Sequence, residues 1–574
     1  MRKKCFTGLL ILLLLLMSFF TYQYLSTVLY ACDVVVYGGG LAGCASARNA
    51  ASLAPEKKVL LIVPEPGEKL GGIGTVGGQN FADIRYWRQQ LVTAGSFQRW
   101  FEQSGQFYNT PQMAEIIRAD LAQFPNLTVI YQHDLKKVKK WGSRIKALLI
   151  APVVRDAKGY VQWAKGWKIV WGTVFIDASA EGRLVRLADN QLVVGRQDWP
   201  LKYLPAEEVT GKWTRQQAAT LMFKVTGVKK PIQPGQLGDL HFVIDARGSW
   251  GLVGGKETWQ NDPVVRRFNE SYGSRGFALK PLNAAQDGAG SNEWWVNMLL
   301  IFDVDGRARE KDRGGDNFPE LGVGQKTVDQ AWQEARELLT KPDFLEALRR
   351  FAVTDQGQRY GLGEVTLVKD VNNQPVVGEV LYLRETVHSP WEGERRDGEM
   401  ERLAGNENTS FALTTRAAQE AGEGLGKADS NADKAADEAN YEERIGLGYY
   451  MMDVNAFMFQ DLVQNGRYVW PVTGYLRPDW QEAGGQPSNP VYLPYAVLKA
   501  TGSPNLLVPG YAAGCSSLAW SELRVLPNLT VLGDAAGVAA ARAVLFKEEP
   551  ADFAAEQIKW VQGKLRERGA RLDK

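Results

Sequence analysis

The chain has 574 residues, 45% of them hydrophobic and 23% charged, which excludes a disordered, collagenous or polytopic membrane protein. Lys plus Arg number 67 against 65 Asp plus Glu, so a net charge of +2 offers no field for nucleic acid. The 4 cysteines form no C-x-x-C, and with only 3 histidines no disulfide scaffold, dithiol centre or metal site is expected.

The N-terminus carries Arg2, Lys3 and Lys4 before an apolar run from Leu9 to Phe20, broken only by Ser18. A basic start followed by so short an apolar stretch suits a cleaved secretory signal. Extended to Ala31, the segment would rise about 36 Å as a helix, enough for a retained transmembrane anchor. Either reading puts the remainder on the exported side, with the first 31 residues outside the fold.

Asp33–Tyr37 is a continuous apolar run of the kind found in buried parallel strands. Gly38-Gly39-Gly40-Leu41-Ala42-Gly43 follows at once, then a small-residue helix and a second apolar strand, Val59–Val63. This is G-x-G-x-x-G in the strand–loop–helix–strand order that dinucleotide binding requires. Gly38 serves the tight turn, Gly40 the close approach of a pyrophosphate, and Gly43 the packing of helix on strand. Leu41 and Ala42 begin the helix whose free N–H groups face the phosphates. The position for a ribose-binding carboxylate holds Val63, so Glu65, two residues on, is the candidate, unless that contact is missing.

Late in the chain, Asn528–Leu532 reads as a strand, followed by Gly533-Asp534-Ala535-Ala536-Gly537 and an Ala-rich helix to about Phe546. A second strand–glycine–helix unit at this position favours FAD over NAD. Asp534 is expected to bond the ribityl chain, with the helix N-terminus near Ala535 facing the flavin pyrimidine. Pro-Asn-Leu-Thr-Val occurs at 125–129 and again at 527–531, and both copies read as a turn leading into a strand.

Further segments carry a resemblance: Leu70-Gly71-Gly72, Thr173–Gly182, Leu381-Tyr382-Leu383-Arg384-Glu385, Ile445–Tyr450, Val491–Tyr495, Asn505–Gly510 and Arg524–Pro527. In their order the chain resembles the FAD-dependent oxidoreductase family of the glutathione-reductase-like flavoprotein superfamily. The resemblance implies FAD as cofactor, Gly71 and Gly72 near the flavin, Ala178, Ser179 and Gly182 in a second FAD motif, and a backbone contact to adenine at about Leu135. It also implies an α/β fold. A Rossmann-like, glutathione-reductase-like FAD-binding domain (32–222 and 444–550) would carry an inserted mixed α+β substrate domain (223–392). A polar insertion or lid (393–443), a C-terminal helix (551–574) and an N-terminal hydrophobic helix complete the expected architecture.

The chemistry expected is hydride transfer between the flavin and a small organic substrate. No second G-x-G-x-x-G in context points to an NAD(P)H domain, so electrons would leave to oxygen, a quinone or a protein carrier, or arrive from a diffusing donor. His388, just after the Arg384-Glu385 segment, is the best-placed general base. Arg384 is a candidate carboxylate clamp or flavin-charge partner, and Tyr382 a candidate active-site residue. The alternatives are an NAD-dependent dehydrogenase and a non-catalytic, membrane-tethered FAD-binding protein.

Overall fold

The computed structural model describes residues 17–18, 29–199, 201–210, 213–389, 440–451, 453–470, 472, 476, 489–515 and 517–574. Most of the Leu9–Phe20 run, and the polar stretch from Gly393 to residue 439, lie outside the described residues.

Strand β1 (Val34–Tyr37) is buried along its whole length and runs into helix α1 (Leu41–Leu53). Strand β2 (Val59–Val63), helix α2 (Ser96–Ser104), and strands β3 (Leu127–Tyr131) and β4 (Val174–Asp177) follow. The inserted region contributes β5 (Ala219–Thr226), β6 (Phe277–Leu279), β7 (Glu293–Ile301) and helix α3 (Val328–Leu339). The chain then returns with β8 (Leu506–Leu507) and helix α4 (Leu526–Phe546).

The parallel sheet has the order β8–β4–β1–β2–β3. Helices α1 and α4 pack together in the apolar cluster on one side of it. On the other lies a smaller, mainly antiparallel sheet (133–141, 144–155, 168–171) with its own cluster. Cover on both sides explains why β1 and β2 are uninterrupted apolar runs rather than alternating ones. Leu29–Ala31, expected outside the fold, joins the smaller sheet as a parallel edge strand beside Ile169–Trp171.

The inserted region forms an eight-stranded antiparallel sheet centred on β5 and β7, with α3 and Pro342–Leu348 packed into a separate apolar cluster. A sheet backed by helices on one side of a distinct core is the α+β arrangement expected for an inserted domain.

The expected strand at Asn528–Leu532 is instead the start of helix α4, and Gly533–Gly537 lies in that helix's interior. Pro527 sits in the first turn, where no N–H is needed. A Cβ at Gly533 would strike the Ala42 carbonyl of α1, and one at Gly537 the Ser46 carbonyl. The two glycines therefore set the close approach of α4 to α1, a spacing of four residues that puts both on one helix face. Among the described residues α4 is the one helix long and apolar enough to span a membrane, and it is buried in this core.

Candidate functional site

The end of β1 and the start of α1 build one wall of an elongated cavity holding about 1150 Å³ of space, part of it open to solvent. Gly38 takes φ +113°, and a Cβ on Gly43 would strike the Gly38 carbonyl, so the turn and the helix close tightly. Gly40 is different. A Cβ there meets no atom within 4 Å, because the residue faces the cavity beside Leu41 and Ala42. The first-turn N–H groups of α1 lack intrahelical partners and carry the positive end of the helix dipole. Gly71 and Gly72, both at positive φ, complete this wall, and the Gly71 N–H donates to the Gly39 carbonyl at 2.8 Å.

Glu65 reaches the same cavity from the Val63-Pro-Glu-Pro66 turn after β2. Its Oε2 is buried without a hydrogen-bond partner. Burial pushes its carboxyl up to about 7, opposed by backbone N–H groups of Glu65 itself and Gly39. A buried carboxylate with an unused acceptor, just beyond the strand next to the phosphate loop, fits a ribose diol. Ala178 and Ser179 also line the cavity, directly beside Gly38, where a Cβ would strike the Ala178 carbonyl. Tyr382, Tyr511 and Leu526 also line the cavity, Leu526 being the first residue of α4. The N-terminus of this helix thus lies at Leu526, nine residues before Ala535.

Several expected contacts fall elsewhere. Asp534 lies behind the phosphate helix and accepts hydrogen bonds from the Ser96 N–H of α2 at 2.9 Å and from Asn49 Nδ2 of α1 at 2.7 Å. Burial pushes its carboxyl up to about 6, against the bonds to Ser96 and Asn49. It ties three helices together, and neither Gly533, Asp534 nor Gly537 lines the cavity. Leu135 is buried in the smaller sheet's core, its carbonyl taken by Arg183 Nε at 2.7 Å, while its neighbour Asp134 reaches the cavity. Gly182, at φ +57°, packs against Val387 and Ala512 behind Ser179.

His388 is buried away from this cavity. Its Nε2 lies 3.5 Å from Ser517 Oγ and 3.8 Å from Glu385 Oε1. Burial lowers its proton affinity, against the charge of Asp198. Arg384 is buried with its guanidinium 4.9 Å from the Tyr382 ring centroid and Nη1 donating to the Ala218 carbonyl at 3.2 Å. The structure therefore brings Tyr382 and Arg384 together and leaves His388 apart.

Two features gave no sequence signal. Asp134 on the smaller sheet and Lys311 on the inserted region meet at the cavity wall, with Nζ 2.9 Å from the carboxylate. Arg183 bonds Asp312 at 2.6 Å, and Tyr37 donates to Asp134 at 2.5 Å. Burial raises the Asp134 carboxyl, but Lys311 and Arg183 outweigh it and hold the group well below its usual value. This network latches the inserted region onto the nucleotide fold. The second feature is a group of charges beyond Tyr382, whose hydroxyl accepts from Arg524 Nη1 at 3.0 Å.

The chain matches the FAD-dependent oxidoreductase family over residues 33–390 and 420–565. It belongs to that family. FAD is its cofactor, and the protein is an oxidoreductase. No curated protein matches the chain. Among solved structures it is similar to a geranylgeranyl bacteriochlorophyll reductase-like protein from Thermoplasma acidophilum, with 10% identity over 95% of this chain and 85% of that one, TM-score 0.31. It is also similar to the myxobacterial FAD-dependent chondrochloren halogenase CndH (12%, 72% and 80%, TM-score 0.30) and to the E. coli quinol fumarate reductase FrdA (10%, 94% and 74%, TM-score 0.28).

Proposed function

We propose that this FAD-dependent oxidoreductase exchanges hydride with a small organic substrate held beyond Tyr382, between the inserted sheet and the nucleotide fold. The first turn of α1, from Gly40 to Ala42, binds the pyrophosphate, Glu65 binds the adenosine ribose, and the N-terminus of α4 at Leu526 faces the flavin ring. When bound, FAD supplies the hydride acceptor or donor. The positive end of α4 favours the negative charge that accumulates on reduction. Tyr382, fixed by Arg524, orients the substrate side of the ring. The observation that carries this reading is the Glu65 carboxylate, whose buried Oε2 has no hydrogen-bond partner, in the same cavity as the open face of Gly40. Protein purified without residues 1–28 should be yellow and release FAD on denaturation. Recovery of FMN, of NAD or of no cofactor after reconstitution would overturn it. Anaerobic screening of metabolite pools for bleaching of the flavin then identifies the substrate. The electron partner is oxygen, a quinone, a protein carrier or a diffusing donor, and stopped-flow reoxidation with each separates them.

The same proposal places the protein on the exported side of a membrane, tethered or released. The basic start and the Leu9–Phe20 run support it. So does the sheet onto which Leu29–Ala31 leads. Trp141 and Trp171 on that sheet and Trp167 just before its strand Lys168–Trp171 are 81%, 41% and 48% exposed, with Lys139 and Lys146 beside them. Tryptophan with flanking lysine suits the headgroup region of a bilayer. A C-terminal reporter should be active outside the cytoplasm, and activity confined to the cytoplasm would refute the orientation.

A further inference from the structure

The smaller sheet presents two unlike faces. Its register places Tyr30, Val170, Leu148 and Val138 side by side across the strands 29–31, 168–171, 144–155 and 133–141. That row packs into the apolar cluster under the sheet. Successive side chains of a strand alternate between faces, so the rows one residue to either side point away from this core. One of them is Ala31, Trp171, Ala147 and Lys139, and the other is Leu29, Ile169, Leu149 and Lys137. Trp141 ends its strand two residues beyond Lys139, on the same outer face.

The outer face is open and basic. Trp141, Trp171, Leu29, Lys137 and Lys139 are all exposed. Arg144 pairs with Glu549, whereas Lys137, Lys139 and Lys146 make no ion pair among the described residues. Lys139 and Lys146 instead lie 5.9 Å from the ring centroids of Trp171 and Trp141. Residues 135–176 hold ten Lys and Arg against a single acid, Asp156, in a chain whose net charge is only +2. Asp156 is engaged in its own turn, where it accepts from the backbone N–H groups of Lys158 and Tyr160. Scattered exposed apolar residues are ordinary, but a contiguous aromatic and apolar face carrying one sign of charge marks an interaction surface.

We propose that this face docks on the anionic phospholipid surface of a bilayer. This rests on the exported-side reading above and names the partner of that sheet. Tryptophan settles at the headgroup level, and lysine lays its stem along the same region with its ammonium toward phosphate. Each lysine at an anionic surface strengthens association roughly fivefold, and no carboxylate in the two outer rows opposes it. A folded acidic partner would match the charge but not the place of the face in the chain. Leu29–Ala31, the edge strand of this sheet, is where the chain arrives from the Leu9–Phe20 run. Nine residue steps join Phe20 to Leu29 and reach at most about 30 Å when extended. With that run in the bilayer, the sheet is held within this distance of the lipid surface.

Docking and tethering respond differently to salt. The attraction of exposed lysines to anionic headgroups fades over a Debye length, about 8 Å at physiological ionic strength and shorter at high salt. An inserted apolar run is held by burial of its hydrocarbon and stays in place under the same conditions.

The test uses the full chain as purified, in detergent, in phosphatidylcholine vesicles, and in vesicles of phosphatidylcholine mixed with phosphatidylglycerol. Lysines are acetylated with an uncharged reagent and read one by one by mass spectrometry. In the anionic vesicles Lys137, Lys139 and Lys146 should react at least about fivefold more slowly than in detergent, and high salt should restore them. Lys256 and Lys341, exposed on the inserted region, should react alike in all three settings. Trp141→Glu should bring the three lysines back toward their reactivity in detergent. Its unfolding temperature should match the parent's, because that ring lies outside the core. The proposal is overturned if the three lysines react alike in detergent and anionic vesicles, if neutral vesicles protect them equally, or if Trp141→Glu is protected like the parent. A chain that sediments with vesicles while these lysines stay reactive is tethered by its N-terminal run alone. That result overturns the docking and leaves the exported-side reading standing, whereas the C-terminal reporter decides that reading independently of the vesicles.

Discussion

The two ends of the cavity proposed to hold FAD are built in opposite ways. The end proposed for phosphate and ribose comes mainly from one stretch, β1 through Glu65, closed by Gly71 and Gly72, and the place of each residue in that stretch follows from the strand–loop–helix path. The end proposed to face the flavin is assembled from Tyr382, Tyr511 and Leu526, with Arg384 and Arg524 beside Tyr382, drawn from segments far apart in the chain. The first end tolerates little change because backbone contacts backbone there. The second depends on side chains that can be exchanged, which is where a family can vary its substrate on one cofactor site.

Breaking the first end should give the largest effect. Gly40→Val places a branched side chain where the pyrophosphate approaches, and bound FAD should be lost while the fold is kept, measured as flavin absorbance per chain beside circular dichroism. Gly533→Leu attacks the support behind that end: its Cβ meets the Ala42 carbonyl of α1. It should cost about 3 kcal/mol of stability in denaturant unfolding, at the upper end for overpacking between rigid backbones. Asp534→Ala leaves the Ser96 N–H and Asn49 amide without their acceptor. It should cost about 1–3 kcal/mol of stability, with little change in FAD affinity.

Glu65→Gln is the mildest and sharpens the comparison most. It removes a charge-assisted bond to the ribose and should weaken FAD roughly tenfold, without loss of stability. It also has a pH signature. In the cofactor-free protein the folded carboxyl titrates near 7, above its unfolded value of about 4.3, so the folded state binds the proton more tightly. That contribution is present in full below the unfolded value and is lost as pH rises through 7. The glutamine variant should therefore show a flatter decline of unfolding temperature between about pH 5 and 7.

The sequence shows the first end because periodicity and glycine spacing are local properties. The two Pro-Asn-Leu-Thr-Val segments show where local reading fails. At 125–129 the segment leads into β3. Asn126 Nδ2 donates to the carbonyls of Ala51, Ala54 and Lys57, which seats Leu127 beside β2. At 527–531 the same five residues open α4, with Asn528 Nδ2 donating to the Glu522 carbonyl and Thr530 Oγ1 to the Leu526 carbonyl one turn back. Strand propensity loses there because Gly533 and Gly537 gain close packing on α1 only when the segment is helical. Reading Asp534 as a flavin ligand followed from that one misassigned element. His388 stood near Arg384 in sequence, but its strand turns it toward Val193 and Ser517, away from the cavity.

The most direct measurement is the equilibrium FAD affinity of Glu65→Gln and Asp534→Ala side by side with the parent. If the cavity built by Gly40 and Glu65 is the cofactor site and Asp534 a brace behind it, Glu65→Gln binds FAD roughly tenfold more weakly and Asp534→Ala binds it like the parent. The reverse order, with Asp534→Ala losing FAD and Glu65→Gln unaffected, would contradict the account.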